Sequence, residues 1–212
     1  MKSFRIAALA IAVTTASASP MAAQSLTTTY AGGNEQVGQM FNLTTLAGPL
    51  RLTGLGLNIN RFGQSPVTLN VYTRSGGYAG FESTPGAWTL SSSVNLAAAS
   101  SAGTETYAGL GSGINLSGGT TYGMYVMFAG QPDYDASYTL SYTNGANTYQ
   151  NADLEFTSGI GVGGAFGPTF SSRTFNGTFY YDKVSVPEPS SMVLVVSGLG
   201  GLMLAARRRR SA

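Results

Sequence analysis

The chain of 212 residues reads as all-β, a two-sheet sandwich of the jelly-roll kind, and three observations carry that reading. Apolar and polar residues alternate along short runs, the period of a strand whose successive side chains point to opposite faces. Between the two ends of the chain no apolar helical period runs longer than about two turns. Glycine, serine, threonine, asparagine and tyrosine dominate, and they punctuate the runs at the spacing of hairpins. About eight to ten strands are expected at this spacing.

The elements follow in order. Leu50 and Leu52 alternate on one parity, while Leu55, Leu57 and Ile59 take the other. The change falls at Gly54, where a β-bulge would re-aim the strand. Val67, Leu69, Val71 and Thr73 alternate with Thr68, Asn70 and Tyr72, a half-buried strand. Residues 122–129 are apolar on both parities and are expected to form a central strand covered on both faces. Tyr138, Leu140 and Tyr142 alternate again, and Asn144-Gly145 offers a type I′ turn. Phe175, Phe179 and Tyr181 form the closing strand, with Gly177 among them.

The two ends read differently. Residues 1–23 have the make-up of a secretory signal peptide: Lys2 and Arg5 at the start, a short apolar core, then small residues. Cleavage is expected after Ala23, with Ala16-Ser17-Ala18 as the competing site. At the other end, Pro187-Glu188-Pro189 precedes an uncharged apolar run and the block Arg207, Arg208, Arg209 and Arg210. Residues 192–206 as a helix reach about 22 Å at 1.5 Å per residue. Extending the run to 190–206, with the arginines snorkelling, gives marginal length for a bilayer core of about 30 Å. The arginines would stay cytoplasmic under the positive-inside rule. The two prolines forbid a regular helix and keep Glu188 extended and accessible. The organisation expected is a signal peptide over 1–23, a sandwich over 24–185 and a tail over 186–212 with a transmembrane helix at 190–206.

The ordered trio of Pro187-Glu188-Pro189, apolar span and arginine block closely resembles the PEP-CTERM sorting signal of exported Gram-negative proteins. The resemblance covers residues 186–212 and leaves the main domain unassigned. It implies recognition by an exosortase, a membrane-embedded cysteine transpeptidase-like enzyme, after delivery by the Sec export machinery. It also implies an inner-membrane intermediate, then a place in the cell envelope, on the surface or in the extracellular matrix. By the same resemblance such proteins accompany exopolysaccharide, biofilm and floc formation.

Composition narrows the chemistry of the middle. Of 11 Lys+Arg and 9 Asp+Glu, six cations and one acid lie in the end segments, so the central domain holds five cations against eight acids, net −3. Nothing in that balance favours nucleic acid. The chain has no cysteine, so an exported domain would rest on packing or ions rather than disulfides. It has no histidine, which removes the Ser-His-Asp and Cys-His constellations and the usual zinc sites.

Four patterns in the domain invite a functional reading. Gly159-x-Gly161-x-x-Gly164 matches a dinucleotide fingerprint by letters, but Pro168 follows where a helix must start, so a glycine-rich loop between strands is expected. Asp133 and Asp135 form an acidic turn that could hold calcium with backbone carbonyls, although both residue types are ordinary in turns. Asp153 and Glu155 fall on one strand face, where paired carboxylates could act on a glycosidic bond; an exposed strand face is the plainer account. The twelve tyrosines and Trp88 could supply a sugar-stacking platform, or simply pack the sandwich. The sequons at Asn42, Asn115 and Asn176 are taken as chance in so Asn-, Ser- and Thr-rich a domain. The combined expectation is a non-enzymatic exported envelope or matrix protein with no cofactor beyond a candidate calcium ion. The alternative is a carbohydrate-binding module for polysaccharide, and a hydrolase or lyase is a third class.

Overall fold

The computed structural model describes residues 23–184, apart from 64, 65, 98 and 134. Residues 1–22, nearly all of the signal peptide expected over 1–23, and the tail from 185 onward, with its motif, apolar run and arginines, lie outside the described residues. The strands are β1 (Gln24–Thr27), β2 (Asn34–Gln36), β3 (Gly38–Thr45), β4 (Leu50–Arg61), β5 (Val67–Ser75), β6 (Thr89–Leu96) and β7 (Glu105–Leu116). They continue with β8 (Thr121–Phe128), β9 (Thr139–Asn144), β10 (Thr148–Gln150), β11 (Leu154–Val162), β12 (Thr169–Phe175) and β13 (Gly177–Lys183). Every strand ladder among them is antiparallel. Among the described residues no helix is long and apolar enough to cross a membrane.

Two layers face each other, and β4 belongs to both. Its first part pairs with β13 and β7, which with β1 make the smaller layer. Its last residues, Ile59 and Arg61, pair with β9 in the larger layer. That layer runs β9-β12-β11-β3-β8-β5-β6, with β2 on β9 and β10 on β11. The sandwich is therefore one continuous hydrogen-bonded network of thirteen strands rather than two separate sheets. A strand that bends from one layer to the other is a known way of making such a corner. The expected eight to ten strands become thirteen because β1, β2 and β10 are only 4, 3 and 3 residues long. Pieces that short carry no readable period. The architecture shown is all-β and antiparallel; a jelly-roll winding is a further expectation that this ladder order does not establish.

The bulge at Gly54 is present. Both ladders of β4 slip there: Leu52 pairs with Tyr181 and Gly54 with Tyr180, leaving Thr53 as the extra residue. Thr53 Oγ1 donates to the Tyr180 carbonyl at 3.2 Å. The slip keeps Leu52 and Leu55 both fully buried although their parities differ. The turn at Asn144-Gly145 differs from expectation. Gly145 has φ +104°, but Asn144 has no positive φ, so the turn is not type I′. Nor does it close a hairpin: β9 pairs with β2, β4 and β12, while β10 pairs with β11.

The main core lies between the layers. Phe41 is its hub, with ring centroids 5.2, 5.0 and 5.5 Å from Phe156, Phe175 and Phe179. Such aromatic pairs add about 0.5–1.5 kcal/mol each beyond area burial. A second, smaller core covers the outer face of the larger layer, built from Val37, Met40, Trp88, Tyr125, Met127, Ala136, Ile160 and Val162. Strand β8 sits between both cores, as its two-sided apolar run predicts. Met124, Val126 and Phe128 enter the first, and Tyr125 and Met127 the second. Two aromatic tips of this second core are satisfied: Trp88 Nε1 donates to the Phe81 carbonyl at 2.9 Å, and the Tyr125 hydroxyl to the Gly164 carbonyl at 2.8 Å.

Candidate functional site

The outer face of the smaller layer remains open, and it carries the most distinctive group of side chains. Two ladders, joining the three strands β7, β4 and β13, build it. Glu105 and Tyr107 on β7 stand opposite Asn58 and Gly56 of β4, and Gly109 stands opposite Gly54. On the other side of β4, Gly56 faces Thr178 and Gly54 faces Tyr180 of β13. Directly opposed residues share a face, so two glycines form the floor between bulky neighbours. The Tyr107 ring lies over that floor. A Cβ on Gly54 would fall 2.5 Å from its Cε2 and hydroxyl, and one on Gly109 would touch it at 3.5 Å. Tyr180 meets Tyr107 edge to face, with centroids 5.4 Å apart and planes at 74°.

Glu105 sits at the head of this group. Its Oε2 accepts from the Tyr30 hydroxyl at 2.8 Å and its Oε1 from the Tyr180 hydroxyl at 2.7 Å. Among the described residues it forms no ion pair. The hydrogen bond to Glu105, helped by desolvation, pushes the Tyr180 phenol up to about 12. Burial first, and then the same carboxylate, raise the Tyr30 phenol as well, against a lowering contact with Thr178. Both hydroxyls are thereby held protonated as donors.

The candidate calcium turn lies elsewhere. Asp133 and Asp135 are exposed residues between β8 and β9, and Asp135 adopts φ +58°. With Asn34, Glu35, Arg61 and Thr139 they line a cavity of about 360 Å³. Glu35, the third carboxylate there, is already occupied. It accepts from Thr139 Oγ1 at 2.6 Å, Asn60 Nδ2 at 2.5 Å and Arg61 Nε at 2.8 Å, and it pairs with Arg61 at 2.7 Å. Burial pushes its carboxyl up, but these donors outweigh it and hold the group below the usual range. Among the described residues no three acidic groups form a cluster that could hold a metal ion.

Two other patterns resolve into structure. The glycine run is not a loop: Gly159 and Gly161 lie inside β11, and only Gly163 and Gly164 enter the following turn. Gly159 marks the point where the β11–β3 register shifts, and a Cβ there would lie 1.9 Å from the Met40 carbonyl oxygen. The residue is glycine because another backbone passes so close. Asp153 is not on an exposed face. It is 4 % exposed, pairs with Lys183 at 2.7 Å, and accepts from the Tyr181 hydroxyl at 3.3 Å. Glu155 points to different neighbours, registering with Thr44 and Gln150. Of the aromatic inventory, Trp88, Tyr125, Tyr138, Tyr142 and Tyr181 are buried. The Asn176 sequon is buried too, its Oδ1 accepting from the Gly32 amide at 2.7 Å. The Tyr30–Glu105–Tyr107–Tyr180 group was not singled out from sequence. Its one local trace is glycine alternating with bulky residues, at Gly54 and Gly56 and again at Glu105, Tyr107 and Gly109.

No curated protein matches the chain. Among solved structures it is similar to the infectious bursal disease virus VP2 subviral particle, at 14 % identity and a TM-score of 0.30, over 88 % of this chain and 49 % of that one. A mutant VP2 of the same virus gives 16 % identity and a TM-score of 0.29, over 88 % and 48 %. The chain thus spans about half the length of these structures, and likeness this slight carries neither fold nor function across. Residues 185–210 match the family model of the PEP-CTERM protein-sorting motif. The chain therefore carries, directly after β13, the sorting motif of an exported protein processed by an exosortase, and the rest of it has no family assignment.

Proposed function

We propose that this is a non-enzymatic protein of the Gram-negative cell envelope or extracellular matrix, linked to exopolysaccharide or biofilm. The observation that supports it is the sorting motif at 185–210, set immediately beyond the last strand of an all-β domain. The domain then acts as cargo, and the tail decides its destination. Sec export delivers it, the span at 190–206 holds an inner-membrane intermediate, and exosortase processing near Pro187-Glu188-Pro189 releases it. Alanine at Pro187, Glu188 and Pro189 preserves the apolar run and the arginines, so a plain anchor would be unaffected. The expected result is an exported, unprocessed, full-length chain in the inner membrane, measured by fractionation and C-terminal peptide mass spectrometry in a host with the cognate exosortase. Processing and release equal to the parent would reduce the motif to a spacer and overturn the reading.

A second reading, carbohydrate binding by the β domain, is favoured by one observation. Tyr107 and Tyr180 lie together on an open sheet face instead of in a core. Glycan-array binding by the secreted protein tests it, and an array without signal would remove it.

A further inference from the structure

The face of the smaller layer can be read further, on the basis of the carbohydrate reading. We propose that Tyr107, seated on Gly54 and Gly109 and flanked by Tyr180 and Glu105, is a stacking plate for a neutral polysaccharide chain. Three features carry the inference. First, Tyr107 is 56 % exposed, the most exposed large apolar side chain among the described residues. Leaving such a ring in water forgoes the stabilisation that burial would give a large apolar side chain. Second, the exposed ring is nonetheless fixed. The glycine floor beneath and the Tyr180 edge beside it restrict its motion. A ring held before the ligand arrives loses little entropy on binding. The ring offers its outward surface to the C–H face of a sugar, which is how aromatic surfaces meet amphipathic partners.

Third, the polar groups at its border suit hydroxyls and refuse anions. Each Glu105 oxygen already accepts one tyrosine hydroxyl and retains accepting capacity for a sugar hydroxyl. No cation pairs with Glu105 among the described residues, and Arg51, farther along β4, is paired with Asp182 at 2.8 Å. The face is therefore anionic, and a carboxylated or sulfated chain would meet repulsion. That selects a neutral glycan over an acidic one. A second copy of this chain would bring the same anionic face, so like charge also disfavours symmetric pairing here.

The test uses the secreted, processed protein in affinity electrophoresis with hydroxyethyl cellulose, a neutral β-glucan, and alginate, a polyanion. Retardation is expected in the neutral polymer and absent in alginate. Tyr107→Ala should weaken it about tenfold or more, while Tyr107→Trp keeps it. Gly54→Ala leaves Tyr107 in place but displaces its ring, and should weaken binding as well. Circular dichroism of each variant separates lost binding from lost folding. If Tyr107→Ala, folded, binds like the parent, the plate is wrong although the carbohydrate reading survives. If alginate binds as tightly as the neutral polymer, the charge argument fails. If the parent binds neither polymer nor any arrayed glycan, plate and carbohydrate reading fall together. If sedimentation velocity shows a dimer that Tyr107→Ala dissolves, the face is a self-contact and the proposal is overturned.

Discussion

Lys183 Nζ lies 2.7 Å from Asp153 Oδ1, tying the last residue of β13 to the turn that enters β11. Lys183 is half exposed, whereas the Asp153 side chain is only 6 % exposed. Lys183→Ala would strip from a buried carboxylate its one cation among the described residues. The expected cost is about 1 kcal/mol after allowing for solvent around the lysine, or about 2–4 °C in Tm. Asp153→Asn, which removes the charge itself, should make the lysine dispensable in a double-mutant cycle. A Lys183→Ala protein with the parent's Tm would show that the pair does not hold the domain's end.

Gly159→Ala should be among the most damaging small substitutions. The added carbon would stand 1.9 Å from the Met40 carbonyl oxygen, a main-chain atom that cannot rotate away. A loss of about 2 kcal/mol or more is expected in urea unfolding, the scale of forced overpacking. A cost below a few tenths would mean that β3 and β11 are farther apart than described.

Acid should weaken the domain partly through Glu35. Its folded pKa is depressed by its donors, so its contribution is fully present above the unfolded value of about 4.3 and fades as pH falls through the lower folded value. Glu35→Gln should lower stability at neutral pH and flatten the decline below about pH 4.5, because the titrating group is gone. Stability curves of equal acid slope in parent and variant would exclude Glu35 from that decline.

At the alkaline end the sign reverses. The Tyr180 phenol is pushed up to about 12, chiefly by its hydrogen bond to Glu105. Its stabilising effect is present below the unfolded value of about 10 and is lost as pH rises through about 12. In Glu105→Gln the Tyr180 resonance, followed by NMR with ring-labelled tyrosine, should titrate at lower pH than in the parent. An unchanged midpoint would break the link between the two residues.

Release of the N-terminus is checked directly. Residues 1–23 read as a cleaved leader, and β1 begins at Gln24. Mass spectrometry of exported protein should find Gln24 first, and intact Met1 there would remove the signal-peptide reading.

Local pattern was enough where the strand period itself carries the signal. The alternation over Val67 to Val71, the two-sided burial of β8 and the slip at Gly54 were all legible, because a strand's period of two is written residue by residue. The sorting motif at 185–210 is legible for the same reason, being a contiguous order of proline, apolar span and arginine. Asp153, by contrast, reads as an exposed strand carboxylate, but it is buried and meets Lys183 and Tyr181, about thirty positions away in sequence. The Asn144-Gly145 pair reads as a hairpin turn, but which strands pair on either side is a long-range choice.

The tyrosine face shows the same division most clearly. By itself the sequence determined that the domain is all-β, marked for export by the sorting motif at 185–210, and without the histidine and cysteine chemistry of common active sites. It also supplied Tyr30, Glu105, Tyr107 and Tyr180, at positions scattered over 150 residues of chain. Only the tertiary structure decided that they meet. Register places Gly54 and Gly56 of β4 between β7 and β13, and the missing side chains there leave room for Tyr107 to lie down and for Glu105 to gather two hydroxyls. Pairing between distant strands is set by burial of the opposite face against Phe179, Leu55 and Ala108, so the open face inherits its neighbours from the core behind it.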